Sequence, residues 1–166
     1  MRILITGPEC TGKSTLAEQL STRLQIPWMP EYARTYLEEF GKDYTLEDVL
    51  KIGQTHHHLL HSFTPDQPLI LDTYLLNLVI WLEHKYGFTD EWITAQAKGS
   101  HFDYVFLMNT DLDWHQDGYR ESAGKTSALL DVFKEKLTSY GFPFHLINGQ
   151  KSSRLESVLS VINSSN

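Results

Sequence analysis

Residues Gly7 to Ser14 read GPECTGKS and match the pattern G-x-x-x-x-G-K-[ST] at every position. The pattern has a mechanical meaning. Gly7 and Gly12 let the backbone pass close to an anion, and the run Pro8, Glu9, Cys10, Thr11 bends so that main-chain N–H groups converge on phosphate oxygens. The N-terminus of a following helix adds its dipole. Lys13 can reach the β- and γ-phosphates, Ser14 is placed to ligand Mg²⁺, and Thr15 completes the contact set. The chemistry expected is therefore binding of a nucleoside triphosphate, ATP with Mg²⁺.

Two carboxylates stand where strands are expected to end. Asp72 follows PLIL and can hold Mg²⁺, directly or through water, or bind an acceptor hydroxyl; a plain N-cap for the next helix is its structural alternative. Glu31 follows IPWMP and is the other candidate to take a proton from an attacking hydroxyl. The residue types leave base and metal roles open between them. Around Glu31, Trp28 and Tyr32 offer rings that could stack on a flat heterocycle or simply fill the core, and Arg34 can pair with a phosphate or an acid. Asp113 to Lys125 (DWHQDGYRESAGK) is polar, has Gly118 and Gly124 as hinges, and carries Arg120 and Lys125. It reads as a lid whose Arg120 would meet the charge of a transferring phosphoryl group. Cys10 reads as a small filler of the loop. His56, His57, His58 and His61 lack the Cys or acidic neighbours of a metal site and read as a solvated helix face.

The elements that must position these groups alternate. Apolar runs at Arg2–Thr6, Ile26–Pro30, Pro68–Asp72, Phe102–Met108 and Phe144–Ile147 predict five strands. Helical periods or caps predict helices over Lys13–Leu24, Glu31–Phe40, Thr45 to about Phe63, Tyr74–Tyr86 and Thr89 to about Lys98. Two more run through Leu130–Tyr140 and Leu155–Ile162, while Asn109 to Gly124 is a long loop. Strands alternating with helices predict an α/β three-layer sandwich: a parallel sheet of about five strands covered on both faces, with ligands at the strands' carboxyl ends.

The chain has 166 residues, enough for one domain with a sizeable core, expected to span 1–166. Its 14 Lys and Arg against 21 Asp and Glu leave a net charge of −7, which disfavours a polyanionic nucleic-acid partner but not a small phosphate held by a local nest. The single cysteine suits a reducing, cytoplasmic compartment. The most apolar stretch, Tyr74–Leu82, is short for a membrane helix, and the first residues read as a strand and not as a signal peptide, so no membrane association is expected. A regulatory GTPase would need an Asn-Lys-x-Asp reader, whereas Asn109 is followed by Thr110, Asp111 and Leu112. A motor ATPase would have adjacent acids at a strand end, whereas PLILD runs into Thr73. A small-molecule kinase with a lid fits better.

Three strings, GPECTGKS, EYAR at Glu31–Arg34 and WHQDGYR at Trp114–Arg120, with LDT at Leu71–Thr73 between the last two, resemble the ribosylnicotinamide kinase domain of the NadR-type family. The resemblance covers nearly the whole chain. It implies phosphorylation of the 5′-hydroxyl of nicotinamide riboside by ATP and Mg²⁺, giving nicotinamide mononucleotide. It further implies that Lys13 and Ser14 serve ATP and Mg²⁺; that Glu31, Tyr32 and Arg34 serve the acceptor; that Asp72 serves acceptor or metal; and that Asp117 and Arg120 belong to the lid. Gln116 and Pro30 depart from the family strings, so stacking on the nicotinamide ring is expected from Trp28 or from another aromatic such as Tyr86. A kinase of another nucleoside or small metabolite, or a regulatory module that binds ATP without transferring phosphate, are the other readings. At 166 residues, the DNA-binding and adenylyltransferase domains of longer family members are not expected within this sequence.

Overall fold

The computed structural model describes residues 1–41, 43–112 and 126–164. Along the chain run β1 (Arg2–Thr6), α1 (Lys13–Leu24), β2 (Trp28–Met29), α2 (Tyr32–Phe40), α3 (Leu46–His61) and β3 (Leu69–Asp72). They are followed by α4 (Leu75–Tyr86), α5 (Glu91–Lys98), β4 (Tyr104–Met108), α6 (Thr126–Ser139), β5 (His145–Ile147) and α7 (Lys151–Ser164). The five strands form one sheet of order β2-β3-β1-β4-β5, and every pairing is parallel.

Parallel strands buried on both faces need apolar side chains in both directions, and β1 supplies them. Leu4 points into a cluster with Leu71, Val105 and Leu107 that α2 to α6 cover, whereas Ile3 and Ile5 point into a second cluster with Ile70, Phe106 and Met108 under α1 and α7. Each such side chain contributes about 1.5–3 kcal/mol by leaving water, so the centre of the sheet is its most firmly held part. β1 pairs with β3 on one side and β4 on the other, and the chain leaves β1 toward the β2–β3 side before returning to β4. The loops that leave the carboxyl ends of these strands diverge, and a crevice opens between them.

The local signals act as expected where they are short-range. The Thr45 hydroxyl accepts from Asp48 N–H while the Asp48 carboxylate accepts from Thr45 N–H at 2.7 Å, a reciprocal cap that starts α3. Asp90 accepts from Ile93 N–H at 2.7 Å and starts α5 one turn position later than Thr89. β2 is shorter than Ile26–Pro30 because Pro27 and Pro30 lack ladder donors; Pro27 contributes only its carbonyl, to Ile70 N–H at 3.0 Å. Among the described residues no helix is long and apolar enough to cross a membrane. The segment 113–125, with Asp117, Arg120 and Lys125, lies outside the described residues.

Candidate active site

The loop between β1 and α1 is shaped by backbone that only certain residues tolerate. Gly7 has φ +134°, and a Cβ there would stand 3.0 Å from the Met108 carbonyl oxygen on β4. Gly12 has φ +76° and directly precedes α1. Cys10 adopts φ +61°, a strained value for a residue with a side chain, so its filling role comes with a turn that re-aims the loop. Inside the loop, the Thr11 hydroxyl and Lys13 Nζ both donate to the Pro8 carbonyl at 2.7 Å. From α4, Asn77 accepts from the Thr6 hydroxyl at 2.7 Å and donates to the Gly7 carbonyl at 3.3 Å, fixing the point where the strand becomes the loop.

The two predicted carboxylates face this loop. Asp72 closes β3 opposite Ile5 and is 1% exposed. It caps nothing: α4 begins after Tyr74 without a side-chain cap, and Thr73 between them takes φ +66° with its N–H on the Ile5 carbonyl. Glu31 is the N-cap residue of α2 but makes no capping bond, which leaves its carboxylate to the cleft. Burial raises the Glu31 pKa, opposed by Lys13, reinforced by Asp72, opposed again by Arg34 and reinforced by Glu9. Burial likewise raises that of Asp72, while Lys13, a hydrogen bond from Ser14 and Arg34 pull it down. Residues far apart in sequence are thus one electrostatic unit: two acids, Lys13, Arg34 and Ser14. The Asp72 Oδ1 atom is buried without a hydrogen-bond partner, and Ser14 is exposed beside it. Hard oxygen donors of this kind fit Mg²⁺.

The loop and Glu31 line one end of a cleft of about 630 Å³, with Asp72 buried just behind Thr73, which also lines it. The cleft continues past Ala33, Leu37, Tyr44, Leu78, Trp81 and Phe133. Tyr44 and Trp81 meet edge to face with ring centroids 4.9 Å apart, and Lys85 Nζ stands 3.8 Å from the Tyr44 ring centroid and hydrogen-bonds its hydroxyl. These rings, and not the ones expected, reach the cleft. Trp28 packs with Ile26 and Leu24 on the face of the sheet under α1 and α7, because β2 turns Met29 toward the cleft side and alternation sends Trp28 the other way. Tyr32 leans edge-on against Tyr36 at 6.3 Å, and Tyr86 packs against the core at the far end of α4; neither lines the cleft. Asn77, Trp81 and Lys85 recur at i, i+4 and i+8 on α4, a spacing that puts them on one helix face and is the signal that could have found them.

The histidine run does not form a uniform solvated face. His58 and His61 are exposed, but His56 is 2% exposed, lines the cleft and stands edge-on to Tyr74 at 5.4 Å. Helix α3 packs on α4 and α5, and Gly53 leaves room for the Ile93 side chain of α5, so the helix face that carries Ile52, Gly53 and His56 is the buried one. Burial lowers its pKa to about 4, so it is neutral at physiological pH.

A parallel sheet of order 2-3-1-4-5 with a phosphate loop after its central strand defines a P-loop α/β domain. A family model described as "AAA domain" matches residues 2–154, and the chain belongs to that family. The fold is that of P-loop kinases of nucleosides and other small molecules. It is similar to the crystal structure of NadR protein in complex with NR (TM-score 0.80, 16% identity), over 98% of this chain and 50% of that one. It is also similar to thymidylate kinase from Ehrlichia chaffeensis (TM-score 0.71, 14% identity), over 100% of this chain and 98% of that one. Deoxyadenosine kinase from M. mycoides, with products dCMP and dCDP bound, aligns with TM-score 0.66 and 18% identity over 99% and 100% of the two chains. The chain spans about half the length of the NadR structures it matches. No curated protein matches it significantly in sequence.

Proposed function

We propose that the chain is an ATP-dependent kinase of a small hydroxyl-bearing metabolite, with nicotinamide riboside as the first candidate acceptor. The observation that supports this best is the meeting of Glu31 and Asp72 with Lys13 at the mouth of the phosphate loop, where one cleft joins the loop to an aromatic end. ATP would lie with its phosphates in the loop. The acceptor would lie toward Trp81 and Tyr44, whose faces suit a planar heterocycle. In transfer, the acceptor oxygen forms a bond to the γ-phosphorus as the bond from that phosphorus to the β–γ bridging oxygen breaks; ADP leaves, and the hydroxyl proton passes to a carboxylate. Lys13 meets charge on the phosphates.

The Ser14 hydroxyl acts on the Asp72 carboxylate and lowers its pKa, and this pairing of two oxygen donors favours Asp72 on the metal side, which leaves Glu31 as the base. Burial raises the Glu31 pKa, and a raised pKa makes a carboxylate a better proton acceptor near neutrality. Bound there, Mg²⁺ would neutralise charge on the β- and γ-oxygens. Arg34 faces the same acids and would orient the acceptor, while Arg120 and Asp117 keep their sequence-based assignment to a lid. The single cysteine, Cys10, supports a reducing, cytoplasmic setting.

ADP release from ATP and Mg²⁺, measured with and without nicotinamide riboside and a panel of ribo- and deoxyribonucleosides, tests this reading. Release that depends on nicotinamide riboside supports it in full. Dependence on another acceptor keeps the kinase and replaces the substrate. Release that no acceptor changes contradicts it in favour of a regulatory ATP-binding module.

A further inference from the structure

Arg154, on the last helix, belongs to no motif, yet it is 2% exposed and its guanidinium reaches three separate loops. Nε donates to the Gly149 carbonyl at 2.6 Å, after β5. One Nη donates to the Thr11 carbonyl in the phosphate loop. The other donates to the Asn109 carbonyl at 3.2 Å, after β4, and to the Asp111 carboxylate. Asp111 in turn accepts from Gly149 N–H at 2.6 Å, so the three loops share one charged, hydrogen-bonded knot.

The bond to Thr11 has a geometric consequence. In a trans peptide the C=O and the following N–H point in opposite directions. Holding the Thr11 oxygen on Arg154, behind the loop, therefore turns the Gly12 N–H toward the cleft that Gly12 lines. A nest of N–H groups binds an anion only when each is aimed in advance, and this peptide sits next to Lys13. The task needs a planar group with several fixed donors; a lysine at 154 offers a point charge and cannot reach all three loops at once.

We propose that Arg154 is a positioning residue for the phosphate loop, holding the Thr11–Gly12 peptide in the orientation that binds the nucleotide's phosphates. The proposal rests on the reading that this loop binds ATP. It is tested by calorimetric titration of the full chain with ATP and Mg²⁺, and separately with inorganic tripolyphosphate. The proteins compared are the wild type, Arg154→Lys, and the double variant Arg154→Met with Asp111→Asn, which leaves no orphaned carboxylate; circular dichroism melting establishes that each is folded. The dissociation constants for both ligands should rise about tenfold or more in the double variant and by an intermediate factor in Arg154→Lys. A merely structural role would lower the melting temperature and leave the affinity of the folded protein unchanged. If the double variant does not fold, Arg154→Lys decides alone. Folded variants with wild-type affinity would overturn the proposal, whereas a wild type that binds neither ligand would overturn the phosphate-loop reading beneath it.

Discussion

Lys13 donates through Nζ to the Pro8 carbonyl at 2.7 Å, folding the lysine back across the loop that it closes, and only 9% of it is exposed. The same ammonium is the largest charge acting on both Glu31 and Asp72. One side chain thus links the phosphate cradle to the two acids.

Lys13→Met should lower acceptor-dependent transfer by about 100-fold or more, the usual cost of removing one donor from a developing phosphoryl charge. The methylene stem of the lysine is kept in this variant, so the fold should persist. Steady-state kinetics together with a melting curve check both halves; retained turnover would remove Lys13 from the reaction.

Asp72→Asn should abolish transfer while making the ligand-free protein more stable. The folded pKa of Asp72 lies above its ordinary value, so its charge costs stability at neutral pH, and that cost vanishes as pH falls through the folded pKa. A rise in melting temperature at pH 7.5 is expected, the pattern of a site residue kept at the expense of stability. A fall would show that Asp72 is needed for the fold through its bonds to neighbours such as Ser14.

Trp81→Ala and Trp28→Ala should separate. Trp81 lines the cleft, so its loss should raise the acceptor KM about tenfold and leave the ATP affinity unchanged, an effect of about 1.4 kcal/mol. Trp28 packs under α1 and α7, so its loss should lower stability by roughly 2–4 kcal/mol and leave the acceptor KM of the folded protein alone. Denaturant titrations and acceptor saturation curves read the two effects.

His56 should make the protein acid-sensitive. Its folded pKa is about 4 against 6.5 for a free histidine, so between those values the unfolded chain takes up the proton first. The stability it contributes is whole above about pH 6.5 and is lost as pH falls toward 4, by about 3 kcal/mol at most. Glu31 and Asp72, with raised pKa values, act in the opposite direction. His56→Phe should therefore flatten the decline in melting temperature between pH 7 and 4.5; an unchanged slope would assign the acid sensitivity to other groups.

What was legible in the sequence was local. GPECTGKS is contiguous, the Thr45 cap is complete within four residues, and Asp72 and Glu31 could be found because polar residues at strand ends are conspicuous after apolar runs. What was not legible depends on which way an element faces once packed. Two residues of β2 cannot show which of Trp28 and Met29 packs on which face of the sheet. Four histidines on α3 are alike until Gly53 and Ile93 set that helix against its neighbours. Arg154 meets Thr11 across 143 positions, a separation over which no spacing rule operates.

The most direct test is the mass and ³¹P spectrum of the product formed from nicotinamide riboside, ATP and Mg²⁺. Transfer to the 5′-hydroxyl gives a product heavier by one HPO₃, about 80 mass units, with the phosphorus coupled to the 5′-methylene protons and one ADP formed per product. ATP consumed with no phosphorylated riboside, or none consumed at all, would contradict it.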